Sequence, residues 1–231
     1  MMKTLYFLFS LLVIPLYLPG QTPQTITLEN NKTSSEVINP ELQYIFPDFQ
    51  KGRVFLKDKK VIDCQLNYNF LLDEVLFIDA NAKKMALANP QDLLYVTIAN
   101  RRFISTSKGY FEVIETGKIS LVYKWICNII EKGNEGPLGI ISDAPSIYQM
   151  NQISFDARTW KLDVDKEAVV TVKVIPYLKI KSKFVPVKGV KDFIKAFPGN
   201  RSEIELFMDQ NPVDFKIEAD LRRLTKYCNS L

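Results

Sequence analysis

Apolar and polar positions alternate with a period of two through much of the first half of the chain, the spacing expected of half-buried strands. Val61-Ile62-Asp63-Cys64-Gln65-Leu66-Asn67-Tyr68 is the clearest case. Shorter apolar or β-branched runs stand around it: Arg53–Leu56, Val75–Ile78, Lys84–Leu87, Leu94–Ile98, Arg102–Ile104, Tyr110–Ile114 and Ile119–Trp125. Polar stretches such as Lys57-Asp58-Lys59-Lys60 and Asp79-Ala80-Asn81 separate them, and Asn89-Pro90-Gln91-Asp92 reads as a turn or a single helical turn. About eight short strands, roughly 8 to 12 residues apart, suit an antiparallel barrel or sandwich. The intervening helices that a parallel sheet needs are missing.

Residues 131–152 form the clearest loop, rich in glycine around Gly133, Gly136 and Gly139. A second β section follows from about Ile153 to Val187. Its strongest run, Ala168–Ile175, is expected to break at Pro176 or to lie at a sheet edge, because proline cannot donate to a ladder. Tyr177–Ile180 and Phe184–Val187 flank Lys181-Ser182-Lys183 in the manner of a hairpin. The period then changes. Val190, Phe193, Ile194 and Phe197 fall at i, i+3, i+4 and i+7, one apolar helical stripe ended by Pro198-Gly199. Ser202 and Glu205 have the spacing of a capping box, ahead of a stripe of Ile204, Phe207 and Met208. Ile217, Leu221, Leu224 and Cys228 make a third stripe. Helices this short are not stable alone and must pack on each other or on the sheet. The pattern predicts an α+β fold: an N-terminal antiparallel β-barrel or sandwich over residues 44–130, a loop over 131–152, and a β-hairpin section with a short C-terminal helical cap over 153–231.

The N-terminus carries a different signal. Lys3 precedes an apolar run from Leu5 to Leu18, and Pro19-Gly20-Gln21 follows. That is the layout of a secretory signal peptide over residues 1–20, and the apolar run is shorter than the roughly 20 residues a bilayer span needs. No cysteine lies near the cut, which removes a lipoprotein anchor. Residues 21–43, rich in Thr, Asn, Gln, Ser and Pro, read as an extended leader. Loss of Lys3 would leave 29 basic against 26 acidic residues, too mild an excess to indicate nucleic acid. The three cysteines, Cys64, Cys127 and Cys228, are an odd number beside apolar neighbours. Buried free thiols are the expectation, and one disulfide of unassigned pairing is the alternative.

The chain contains no histidine. Ser-His-Asp and Cys-His nucleophile pairs are therefore excluded, as are the usual histidine-containing zinc sites. Phosphate-cradling and dinucleotide-binding glycine loops are absent too. Several weak candidates remain. Ser105-Thr106-Ser107-Lys108 matches Ser-x-x-Lys, but in a turn and without its companion motifs. Asp73 with Glu74, or Asp163 with Asp165, could supply paired carboxylates for glycoside hydrolysis, though solvated turns explain them as well. Asp163 to Glu167 offers oxygen ligands without the spacing of a calcium loop. The basic stretches Lys57–Lys60, Arg101-Arg102 and Lys179–Lys183 read as solvated turn tips, with a patch touching phosphate or lipid headgroups as the alternative. Tyr44, Phe46, Phe49, Tyr68 and Phe70 suit core packing, or else a carbohydrate- or peptide-docking surface. Asn31-Lys32-Thr33 and Asn200-Arg201-Ser202 match the glycosylation pattern, relevant only in a eukaryotic secretory pathway. No catalytic, cofactor-binding or metal residue is assigned, and no cofactor is expected.

The run Tyr44-Ile45-Phe46-Pro47-Asp48-Phe49-Gln50-Lys51-Gly52-Arg53-Val54, with Leu66-Asn67-Tyr68-Asn69, Leu72 to Ile78, Leu87-Ala88-Asn89-Pro90, Asn100 to Ile104 and the tail from Phe193 to Tyr227, resembles uncharacterised exported proteins of Bacteroidota. The resemblance implies an envelope location and a β-rich front half, and brings no activity. The leading expectation is an exported, non-catalytic protein, periplasmic, outer-membrane-associated or extracellular, that binds or supports another envelope component. One alternative is a carboxylate-based glycan hydrolase. The other is a soluble small-ligand-binding β module that uses a barrel mouth and would show an apolar cavity open to solvent.

Overall fold

A computed structural model of the chain describes residues 24–27, 38–131, 147–149 and 167–231. The signal segment, Asp163, Asp165 and the Asn31 acceptor site lie outside the described residues. Among the described residues, twelve strands belong to one antiparallel sheet. In chain order they are β1 (Gln24–Thr27), β2 (Gln50–Leu56), β3 (Val61–Asn69), β4 (Glu74–Ile78), β5 (Lys84–Ala86), β6 (Leu93–Ile98), β7 (Arg101–Thr106), β8 (Gly109–Glu115), β9 (Ser120–Glu131), β10 (Ile147–Gln149), β11 (Glu167–Ile180) and β12 (Lys183–Pro186). The three helices among the described residues are α1 (Val190–Ala196), α2 (Arg201–Gln210) and α3 (Glu218–Ser230). The α+β class and the helical C-terminus stand as read from the sequence.

The sheet runs β1-β11-β9-β8-β7-β6-β2-β3-β4-β5, with β10 also on β9 and β12 also on β11. β1 and β5 are its two ends, and no ladder joins them among the described residues, so the sheet is not a closed barrel. It is nevertheless strongly curled. β3 lies five places from β9 in the strand order, yet Phe70, just past β3, stacks on Trp125 of β9 with ring centroids 5.7 Å apart. Tyr68 of β3 likewise meets Tyr110 of β8 at 5.9 Å.

One face of the long strands serves two cores. Trp125, Cys127 and Ile129 of β9 join Tyr68, Phe70, Leu71, Val96 and Phe103 inside the curl. Leu121 and Tyr123, of the same parity on the same strand, pack instead beneath the helices with Leu178, Phe193, Ile204, Leu221 and Leu224. The strand period of two and the helical stripes therefore meet at β9. α3 buries Leu221, Leu224 and Cys228 of the stripe read from the sequence, together with Thr225, while Ile217 is its N-cap residue.

Four local readings change. β11 runs straight through Pro176, paired with Tyr123 on β9. The Pro176 carbonyl accepts from Val187 N at 2.8 Å on the β12 side. Nitrogen and carbonyl of one strand residue face the same neighbour, so the missing donor lies on the β12 side, past the last paired residue Pro186, and the ladder to β9 continues. The Ser202 capping box does not form: Ser202 lies inside α2, whose N-cap is Asn200, and Glu205 pairs with Arg201 at 2.9 Å. The leader is in part built into the sheet, with β1 on β11 and with Ile38 and Leu42 buried in the core. The stretch read as a loop contains β10, paired with β9.

Candidate functional site

Two buried polar clusters sit in the curl. Asp73 follows β3 in a left-handed conformation, φ 56°, which Asp tolerates better than most residues. Its Oδ1 accepts from Tyr68 Oη at 2.7 Å and Tyr110 N at 3.0 Å, and its Oδ2 accepts from Lys124 Nζ at 2.6 Å. The Lys124 and Asp73 side chains are only 7% and 12% exposed. Burial lowers the Lys124 pKa and Asp73 opposes that effect, while burial and then Asp73 raise that of Tyr68. Asp73 is thus an internal ion-pair partner, not a solvated turn residue. In the second cluster Arg101 donates through Nε and Nη2 to the two Glu112 oxygens, each at 2.5 Å, and Trp125 Nε1 donates to Glu112 Oε2 at 2.9 Å. Arg101 lies over the Trp125 ring, 5.2 Å from its centroid. It is 26% exposed, so it is not a free turn tip. Sequence reasoning did not single out Lys124 or Glu112. The available signal was a charge inside an apolar strand, Tyr123-Lys124-Trp125 and Phe111-Glu112-Val113.

Both clusters are saturated with partners, which makes them supports for the fold. The open feature lies at one end of the curl. There, β2, β3, β4 and the 79–93 connection surround a groove of about 820 Å³. Its walls are mainly apolar: Val54, Leu56, Ile62, Cys64, Phe77 and Leu93. Ile62 is 50% exposed there, unusual for an isoleucine on the inward face of a strand. Lys57, Asp58, Asp79 and Asp92 mark the rim. Two of these carboxylates are engaged in turns. Asp58 pairs with Lys60 at 2.9 Å, which holds its carboxyl below the usual range. Asp79 Oδ1 accepts from Asn81 N and Lys83 N. The pattern is that of an apolar groove with a polar lip, two of whose three carboxylates are held by the turns that carry them.

The three thiols are free. Cys64 is half-buried in the groove wall, and burial, then Asp63, raises its pKa. Burial alone pushes Cys127 up to about 12. Of the aromatics singled out from the sequence pattern, Tyr68 and Phe70 are core residues, while Tyr44 and Phe49 flank Lys84 at one edge. Ser105–Lys108 is the turn region between β7 and β8, where Thr106 Oγ1 bonds Gly109 O and Lys108 N. Among the described residues no cluster of acidic or thiol side chains could hold a metal ion, and no helix is long and apolar enough to cross a membrane. The chain matches no protein-family model, no curated protein and no solved structure.

Proposed function

We propose that this chain is a non-catalytic binding protein of the cell envelope that takes a small apolar ligand in the groove at the end of its curled sheet. The groove beside Ile62 and Cys64 carries the reading. Its volume of about 820 Å³ falls in the range typical of small-molecule sites, roughly 300–1,000 Å³, and its lining is apolar with few polar groups at the lip. Export, read from residues 1–20, and the resemblance to exported Bacteroidota proteins supply the compartment. Hydrolysis by paired carboxylates is disfavoured by Asp58 and Asp79, whose oxygens already serve the turns that carry them. The test is titration of the purified protein with the apolar fluorophore N-phenyl-1-naphthylamine. Saturable enhancement is expected, displaced by a long-chain fatty acid and lost in Ile62→Glu, which places a charge on an already exposed position. Failure to saturate, or an unchanged response in Ile62→Glu, rejects the groove as the site.

A further inference from the structure

A second groove, of about 720 Å³, lies among the Lys57–Gln91 wall, the β7–β8 turn and the β11–β12 hairpin. Three cations line it, Lys57, Lys108 and Lys179, brought together from strands far apart in sequence. Among the described residues no carboxylate lines it, although the chain as a whole has 26 acidic residues against 30 basic ones. The segregation is local to the lining, and Lys181 and Lys183, on either side of the lining residue Ser182, are exposed as well.

The cations are also available. Lys57 Nζ is fixed by one bond to Gln91 O at 2.6 Å, leaving two donors directed elsewhere. Lys108 and Lys179 are in no ion pair among the described residues. The hydroxyl of Thr106 is used within the turn, whereas Ser105, Ser107 and Ser182 line the groove with no hydrogen bond from their hydroxyls among the described residues. Three lysines and three serines line one groove, Lys57 alone spending a donor within it, and a phosphate group, whose oxygens accept from both ammonium and hydroxyl, fits that set. The rest of the lining selects among phosphates. Leu94 is 55% exposed, and Ile104 and Phe184 add apolar wall, a surface that a free ion would leave unpaired.

We propose that this groove binds the phosphate headgroup of an anionic lipid, with Lys57, Lys108 and Lys179 on the phosphate and Leu94, Ile104 and Phe184 against the adjoining glycerol and upper acyl chain. The site shares Lys57 and Leu93 with the apolar groove but is otherwise lined by different residues, and it does not depend on a ligand there.

The test is co-sedimentation of the protein with vesicles of phosphatidylcholine alone and of phosphatidylcholine mixed with phosphatidylglycerol. Binding is expected only to the mixed vesicles. One lysine near an anionic surface is worth about 1 kcal/mol, so Lys108→Ala with Lys179→Ala should weaken partitioning roughly thirtyfold. Lys108→Arg with Lys179→Arg should restore it. The control, Lys191→Ala with Lys195→Ala, removes the same charge from exposed positions on α1 and should leave binding nearly intact. Equal loss in both double variants would show diffuse attraction and overturn the site. Calorimetry with inorganic phosphate and with glycerol phosphate distinguishes the source. Tight binding of either without vesicle binding overturns the lipid assignment, as does the absence of any binding.

Discussion

Asp73 is the residue on which the curl most depends. Its carboxylate satisfies a tyrosine hydroxyl, a backbone amide and a lysine at once, all within the interior. Gly109 is part of the same arrangement: it sits at φ 87°, and a Cβ there would land on Asp73 Oδ2. Removing one member of a buried pair leaves the other charged and without a counter-ion, and costs more than the pair itself contributes. Asp73→Ala should therefore destabilise the protein by about 3–5 kcal/mol, read from the urea midpoint. Lys124→Met should cost less than Asp73→Ala, because the remaining carboxylate keeps two donors. In a double-mutant cycle the two changes should be strongly non-additive. A loss below about 1 kcal/mol for Asp73→Ala would mean that the pair is solvated in solution.

At the scale of elements, the helical cap is attached by its last turn. Asn229 near the end of α3 accepts from Ile119 N at 3.0 Å and donates to Ile119 O at 2.8 Å, a two-point clamp on the residue that precedes β9. Gly117 makes room for it, since a Cβ there would strike the Asn229 amide. Asn229→Ala should cost about 1–3 kcal/mol, because two partly buried backbone groups lose their partners. Hydrogen exchange should show the rise in opening confined to α3 and the start of β9, and uniform acceleration across the sheet would count against the clamp. The strands and α3 were legible because one periodicity ran through each. β1 and β10 were not, being short strands with no period of their own. Pro176 misled because a sequence cannot show which way its nitrogen faces. The sites were less legible still. Two turns of the cationic groove are visible in the sequence as basic tips and the third, Ser105–Lys108, as a Ser-x-x-Lys match, but only the curl and the β11–β12 hairpin bring Lys57, Lys108 and Lys179 together. The Asp73–Lys124 pair joins residues of β3's outgoing turn and β9, which no local pattern connects.

For the molecule as a whole, burial of acidic protons on tyrosine and cysteine sets the response to alkali. Burial raises Tyr68, Tyr110 and Tyr123 well above the ordinary tyrosine value, and raises Cys127 and Cys228 to about 12. Each of these groups keeps its proton in the folded state at a pH where the unfolded chain has released it. The unfolded state then binds fewer protons, so stability must fall as pH rises. The decline begins near the unfolded cysteine value, about pH 9, and steepens once unfolded tyrosines ionise near pH 10, each group adding at most about 1.4 kcal/mol per pH unit. Lys124 acts in the opposite sense. Its folded pKa is lowered, so between that value and the unfolded one the folded state is the one short of a proton, and stability gains. One such group does not offset five. Urea midpoints should hold steady through neutral pH and drop steeply above about pH 9. Ultraviolet titration of the folded protein should show the three buried tyrosines ionising only with unfolding. Tyr123→Phe supplies the internal check: the Tyr123 hydroxyl is buried with no hydrogen-bond partner among the described residues. Its removal should leave neutral stability unchanged or up to about 1 kcal/mol higher and flatten the alkaline slope by one group's share. A slope unaffected by that change would mean the hydroxyl is open to water in solution.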